Sequence, residues 1–296
     1  MGAADVVPGV SGGTIAFITG IYEELIQSIK QLDFNSVKLL FTFKFREFWS
    51  RVNGGFLLTV LSGITISIVT FAKVMFYFLE THPIKVWSFF FGLIVISAIT
   101  ILRQVKEWKK RRVFALLVGV GIAYYITIAT PATTPETYWY VFLSGVIAIC
   151  AMILPGISGA FILLILGKYE FITGALHEYN FPVIITFILG CIVGLLSFVR
   201  AISWVLNKYH YTAVSLLSGF MIGSLNKVWP WKKVMTYRLN EVGEQVPVLD
   251  KNILPTEYLK EVGEAPQLLY AILFMAIGIM LVVFIEKVAH SSEIKL

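Results

Sequence analysis

The chain has 296 residues, 57% of them hydrophobic, 15% aromatic and 14% charged, with a formal net charge of +6. A soluble domain carries about 25% charged residues, and several apolar runs here reach the roughly 20 residues that cross a bilayer. A soluble globular domain is therefore excluded. The positive charge says little about nucleic acid, because in a membrane protein the placement of Lys and Arg matters more than their sum.

The chain opens on a broken apolar segment, "VVPGVSGGT", from Val6 to Thr14. No cleavable signal sequence precedes it, and only five residues stand ahead of Val6; further residues upstream of Met1 would complete a leading arm. Segment 27–54 is basic, with Lys30, Lys38, Lys44, Arg46 and Arg51. Spans are expected at 55–79, 84–102 and 112–129, with a second basic stretch between the last two: Arg103, Lys106, Lys109, Lys110, Arg111 and Arg112. A second broken segment, "ILPGISGAF", runs from Ile153 to Phe161 behind a full apolar arm, Tyr138 to Met152. Spans follow at 181–206, 211–227 and 268–286. The loop 228–267 between the last two carries five basic and six acidic residues and is long enough for a small external cap. Trp139, Trp204, Trp229 and Trp231 suit interfacial belts. Cys150 and Cys191 read as packing residues, and His82, His177, His210 and His290 show no metal spacing.

The two broken segments are copies. Ala4–Ile26 aligns with Ala151–Thr173 without gaps, and ten of 23 positions are identical, including Pro8, Gly9, Ser11, Gly12, Tyr22 and Glu23 with Pro155, Gly156, Ser158, Gly159, Tyr169 and Glu170. The match resumes at a different offset, with Gly63 on Gly190, Lys73 on Arg200, Gly92 on Gly219 and Ser97 on Ser224. Three spans per half is an odd number, so the second half starts from the opposite side. The expectation is an all-α polytopic membrane protein of two inverted-topology repeats, each a re-entrant helical hairpin followed by three transmembrane helices. The first repeat covers 1–130, with its hairpin at about 1–26. The second covers 138–290, with its hairpin at about 138–175. One broken crossing helix per half is the alternative. The basic stretches 27–54 and 103–112 favour the inverted arrangement, because cytoplasmic loops are enriched in Lys and Arg. It places 130–138 and 228–267 outside. Inverted repeats with helices broken at the midplane are a transporter signature.

Unpaired backbone in lipid is costly, so the breaks need a use. Ser11 and Ser158 are placed to cap the helices that follow them. Capping turns free N–H groups and the positive helix end toward the loop. Two such ends meeting from opposite faces would make an anion site of Pro8, Gly9, Ser11, Gly12, Gly13 and Thr14 with Pro155, Gly156, Ser158 and Gly159. Phe161 stands where the first copy has Thr14, so that site is lopsided. Tight helix packing is the simpler use of Gly and Ser.

Charges inside spans are few and informative. Depth pairs Glu170 with Lys73 and Glu23 with Arg200. Lys73 admits an ion pair, snorkelling or substrate contact; Arg200 favours substrate or a pair, since guanidinium grips phosphate bidentately. Asp5 is either a proton or cation site or a charge at an exposed start, and Lys168 is expected to snorkel outward. No Ser-His-Asp, HExxH, Walker or Rossmann pattern is present, so no enzyme activity, cofactor or metal is expected.

The segments "MGAADVVPGVSGGTIAFITGIYE" and "MILPGISGAFILLILGKYE" resemble the bacterial DUF368 family of polyprenyl-phosphate transporters, over nearly the whole chain. The resemblance rests on Asp5, Pro8–Thr14, Pro155–Gly159, Tyr169 and Glu170. It implies transport of undecaprenyl phosphate, the carrier lipid of cell-wall synthesis, from the outer to the inner leaflet of the cytoplasmic membrane. The short segment ahead of the first motif departs from the family pattern. The implied partners are the polyprenyl-phosphate lipid and the bilayer, with no nucleic acid and a homo-oligomer left open. An ion-coupled carrier of a small soluble anion and a membrane enzyme acting on lipid phosphate are the competing readings.

Overall fold

The computed structural model describes residues 1–5, 11–132, 134–239 and 245–293. Pro8 and Gly9 of the first motif lie outside the described residues. Two short helices, α1 (Gly2–Asp5) and α2 (Gly12–Ile18), flank that gap. Three surface helices follow: α3 (Tyr22–Lys30), α4 (Phe34–Phe41) and α5 (Phe45–Arg51). Phe34, Phe41 and Phe43 are exposed beside Lys38, Lys44 and Arg46, the composition of helices lying in a membrane interface. The long helices are α6 (Gly54–Thr81), α7 (Pro83–Arg103) and α8 (Lys110–Ile128). The second motif joins α9 (Tyr138–Ile153) to α10 (Gly159–Ile165), and α11 (Tyr169–His177) leaves α10 at a bend of 107°. Helix α12 (Phe181–Ser224) is 44 residues long and breaks at Tyr209, whose backbone leaves the helical region. At 1.5 Å per residue it would extend about 66 Å, more than one crossing needs, and the break divides it into two arms.

Five helices among the described residues are long and apolar enough to cross a membrane: α6, α7, α8, α12 and α14 (Leu268–Glu293). The protein is a mostly helical, multi-pass membrane protein. It is not all-α. Residues Lys232–Leu239 and Gln245–Asn252 form an antiparallel β hairpin, β1 and β2, followed by α13 (Pro255–Val262). Periodicity does not mark this segment, because Val246, Pro247, Val248 and Leu249 form a short continuous apolar run, which a strand and a helix share.

Glycines set the helix contacts. A Cβ on Gly119 of α8 would strike Leu216 O, and one on Gly219 of α12 would strike Leu116 O. Gly92 of α7 meets Met275 O, and Gly278 of α14 meets Phe89 O. Gly145 of α9 meets Phe187 O, and Gly190 of α12 meets Phe142 O. In lipid no hydrophobic effect draws apolar helices together, so close backbone approach at small residues supplies the association. The sense of each pair follows from contacts further along: Gly219 lies on Gly119 and Gly223 on Ala123, Cys191 on Gly145 and Gly194 on Cys150, and Tyr270 on Lys85 and Glu286 on Thr100, so each pair runs in the same direction. Helix α6 differs: no residue of its membrane-length window is buried, and α1 is its main neighbour.

The bundle has two distinguishable ends. At one, Arg111 lies over the Tyr209 ring at 4.0 Å and Arg112 over Tyr211 at 4.9 Å. At the other, Asn226 Nδ2 donates to Thr127 Oγ1 at 2.8 Å, beneath the β hairpin. These are the basic end and the hairpin end.

The glycine contacts generate a paired prediction on one helix. Gly119→Val is expected to push α8 off α12 and cost about 3 kcal/mol. Gly121→Val, where a Cβ meets nothing within 4 Å, should stay within about 0.5 kcal/mol. Melting of the two purified variants in detergent checks it.

Candidate functional site: the junction of the two motifs

Ser11 has extended backbone and caps α2, its Oγ accepting from Gly13 N at 3.1 Å. Ser158 likewise caps α10, accepting from Phe161 N at 3.5 Å. Both hydroxyls are buried, at 1% and 7% exposure. The two motifs then bind each other. Ser11 Oγ lies 3.2 Å from Leu154 O and 3.3 Å from Met152 O, to which it donates. Gly156 N donates to Thr14 Oγ1 at 2.8 Å. A Cβ on Gly13 would stand 2.6 Å from Ile153 O, so the backbones touch. Gly156 has φ +84 and lies against Phe220 O and Ser224 Oγ on α12. Only glycine takes that left-handed conformation without strain. Around the junction, Ala16, Ile26, Ile153, Ile157, Val199, Leu217 and Phe220 form one apolar core.

The α2 end of the junction is already occupied by a side-chain carboxyl group. Asp5 Oδ1 accepts from Gly12 N at 2.6 Å, the position a bound carboxylate or phosphate takes at a helix N-terminus. Its Oδ2 is buried without a hydrogen-bond partner among the described residues, as are Tyr22 Oη, Ser88 Oγ and Ser218 Oγ. Asp5 is therefore built into the junction and is not a charge on an exposed start. No group of His, Cys, Asp and Glu among the described residues is arranged to hold a metal ion.

The charges expected within spans are arranged differently from their depth. Glu23 Oε1 lies 3.3 Å from His210 Nδ1, not against Arg200. The Arg200 guanidinium donates to Leu196 O at 2.6 Å and Leu32 O at 3.4 Å. Helix α3 carries Glu23 to the break in α12, ten residues beyond Arg200; equal depth in the bilayer does not place two side chains at the same azimuth. Lys168 does not snorkel outward. It is 1% exposed, with Nζ donating to Thr134 O at 2.9 Å. The loop after α8 folds back over the end of α10, where Ala132 N also donates to Ile165 O, and buries it. Lys73 is exposed on α6, and Glu170 is exposed at the start of α11.

A cluster at the hairpin end escaped the reading of the sequence. Lys227 Nζ and Lys232 Nζ reach the two oxygens of Asp250 at 3.1 and 3.2 Å, with side chains only 15% and 10% exposed. Lys232 also lies over the Trp87 ring at 3.9 Å, and Lys227 over Phe161 at 4.6 Å. Burial pushes the Lys232 ammonium down to about 8 against the opposing pull of Asp250. Burial also works to raise the Asp250 carboxyl, but the Lys232 and Lys227 charges outweigh it and hold it below the usual range. The available signal was Lys227 at the last position of an expected span, with Lys232 five residues on.

Removing the Thr14 acceptor tests the junction. Thr14→Val should leave the buried Gly156 amide unpaired at a cost of about 2 kcal/mol, lowering the melting temperature, while Thr14→Ser should restore most of it.

No solved structure matches the chain. A family model described as undecaprenyl phosphate translocase-like (VCA0040-like) matches residues 1–246. A polyprenyl-phosphate transporter of Vibrio cholerae serotype O1 is 46% identical over 290 residues, covering 98% of this chain and 94% of that protein. A polyprenyl-phosphate transporter of Staphylococcus aureus is 31% identical over 249 residues, covering 78% of this chain and 83% of that protein. Matches of this extent, to both the family model and a nearly full-length relative, establish that the chain belongs to the undecaprenyl phosphate translocase-like family.

Proposed function

We propose that the chain transports polyprenyl phosphate, moving undecaprenyl phosphate from the outer to the inner leaflet of the bacterial cytoplasmic membrane. The phosphate head passes through the junction of the two motifs while the polyprenyl tail stays in hydrocarbon. The observation that carries the reading is the direct contact of the two capped helix starts, Ser11 on Leu154 O and Gly156 on Thr14 Oγ1. The names of the two relatives supply the substrate class.

The scaffold in this reading is a pair of inverted repeats, 1–130 and 138–290, each with a re-entrant hairpin. The helix pairs support it. Helix α7 of the first repeat lies along α14 of the second, and the second arm of α12 lies along α8 of the first. The aligned residues Gly92 and Gly219 sit at those two contacts. The basic end, with Lys109, Arg111, Arg112 and Lys208, then faces the cytoplasm, and the β hairpin faces outward.

The arrangement of donors describes a closed junction. Asp5 holds the Gly12 amide, Ser11 holds Gly13, and Thr14 holds Gly156. A phosphate head enters by taking these amides from their internal acceptors, and Asp5 must withdraw or become neutral because two anions cannot share one helix end. The open face of α6 gives the lipid tail a route along the bundle.

Two experiments test the reading. In liposomes with labelled undecaprenyl phosphate, the protein should move lipid between leaflets, and Ser11→Leu and Ser158→Leu should each cut the rate at least about tenfold with membrane insertion retained. Normal rates in both would leave the motifs a packing role only. Single-cysteine labelling in cells should reach positions 103–112 from the cytoplasm and 130–138 and 228–267 from outside. Cytoplasmic labelling of 130–138 would sink the inverted arrangement.

A further inference from the structure

The cluster at the hairpin end carries more positive charge than its fold requires. Between the end of α8, the middle of α10 and β2 lies a cavity of about 300 Å³, lined among others by Thr127, Phe161, Asn226, Lys227, Asp250 and Lys251. Two ammonium groups share the single carboxylate of Asp250, and Lys251 brings a third cation to the same cavity. Charges withdrawn from water are costly unless compensated, and the two largely buried ammonium groups have one carboxylate between them, while Lys251 stays exposed at the rim.

The roles of the three lysines separate by geometry. Lys232 is the fastening: it binds Asp250, donates to Lys227 O at 2.6 Å and stacks on Trp87, tying β1 to the bundle. Lys227 has one carboxylate contact and one ring contact, and an ammonium carries three donors. Lys251 is exposed beside it. Phe161 links the cavity to the motif, because its ring lies under Lys227 while its amide is the one capped by Ser158. Ile128 and Leu164 add an apolar wall, which a free inorganic anion does not need and a lipid does.

We propose that this cavity is an entry site for the phosphate monoester head of a lipid, where Lys227 and Lys251 bind the head before it reaches the motif junction. The site deepens the transport reading and rests on its placement of the hairpin end at the outer face. At that face lysines are not needed for topology, since the positive bias belongs to the cytoplasmic side. Asp250 sets the position of Lys227 and keeps the empty site from holding three unopposed cations. Asn226, fixed by Thr127 and by Asn252 Nδ2 at 2.9 Å, borders the same space.

The test uses the full chain in detergent and in liposomes, with Lys227→Gln, Lys251→Gln and Lys227→Arg. Undecaprenyl phosphate should raise the wild-type melting temperature, and both glutamine variants should need about tenfold more lipid for the same rise; Lys227→Arg should stay near wild type. In liposomes loaded with lipid on the hairpin side, the same variants should raise the half-saturating lipid concentration more than they lower the maximal rate. Unchanged lipid dependence in both glutamine variants overturns the proposal. So does a lower melting temperature of Lys227→Gln with normal lipid dependence, which would make the cluster a fastening alone. Inorganic phosphate is the second ligand: equal stabilisation by phosphate and by the lipid at equal concentration would overturn the lipid assignment. If the wild type moves no lipid, the transport reading fails, while the melting shift still decides whether the cavity binds the head.

Discussion

The structure depends on how two breaks in apolar helices satisfy their own backbone. A chain that interrupts a helix in hydrocarbon exposes amides and carbonyls that water cannot reach. Here each motif supplies what the other lacks. The Ser11 hydroxyl serves its own helix as a cap and donates to carbonyls at the end of α9, while Thr14 accepts the Gly156 amide. Among the described residues, Ser11 and Thr14 of the first motif find partners in the second, and these bonds hold the two segments together. The same bonds exchange more readily than packed apolar contacts, because each internal partner can be replaced by a polar ligand of suitable shape. On the proposed reading, a junction held by replaceable hydrogen bonds is stable when closed and can be opened by a phosphate.

The remainder of the bundle places that junction. Three pairs of helices run side by side with glycine against carbonyl, α7 with α14, α8 with the second arm of α12, and α9 with its first arm. Gly156 in turn rests on Phe220 O and Ser224 Oγ, so the second motif is seated on the α12 arm that α8 supports. A shift of α8 is therefore felt at the motif through one intervening helix. Helix α6 stands apart from this framework, with its long apolar surface facing outward, and is the element whose displacement disturbs the fewest glycine contacts.

Much of this was legible in the residues. The paired Pro-Gly-x-Ser-Gly motifs, the caps at Ser11 and Ser158 and the long apolar helices follow from local chemistry and periodicity. The β hairpin was not, because its strands lie in a mixed-charge loop and lack a clean alternation of apolar and polar residues. The partners of Glu23, Arg200 and Lys168 were not either. Depth along a helix can be counted from sequence, but azimuth and loop return cannot. Glu23 turns to His210 at the α12 break, and Lys168 is covered by the loop around Thr134. The Lys227–Asp250–Lys232 group joins residues 18 and 23 positions apart through a strand pairing whose register no single sequence reveals.

In the transport reading proposed above, Asp5 gives the two ends of the path different characters. At the hairpin end, cations exceed carboxylates, and an arriving phosphate lowers the electrostatic energy of the site. At the motif junction the only described charge on the backbone donors is the Asp5 carboxylate itself, and an arriving phosphate meets repulsion unless that group moves or gains a proton. Strong binding along the whole route would trap the head, so a favourable entry followed by a contested centre is what passage requires. The carboxylate also protects the empty junction: with the head absent it satisfies Gly12, and the helix end is not left bare in a low-dielectric interior. In that proposal Asp5 is the internal stand-in for the substrate's charge, and its exchange with the phosphate would couple occupancy of the centre to the opening of the two motifs.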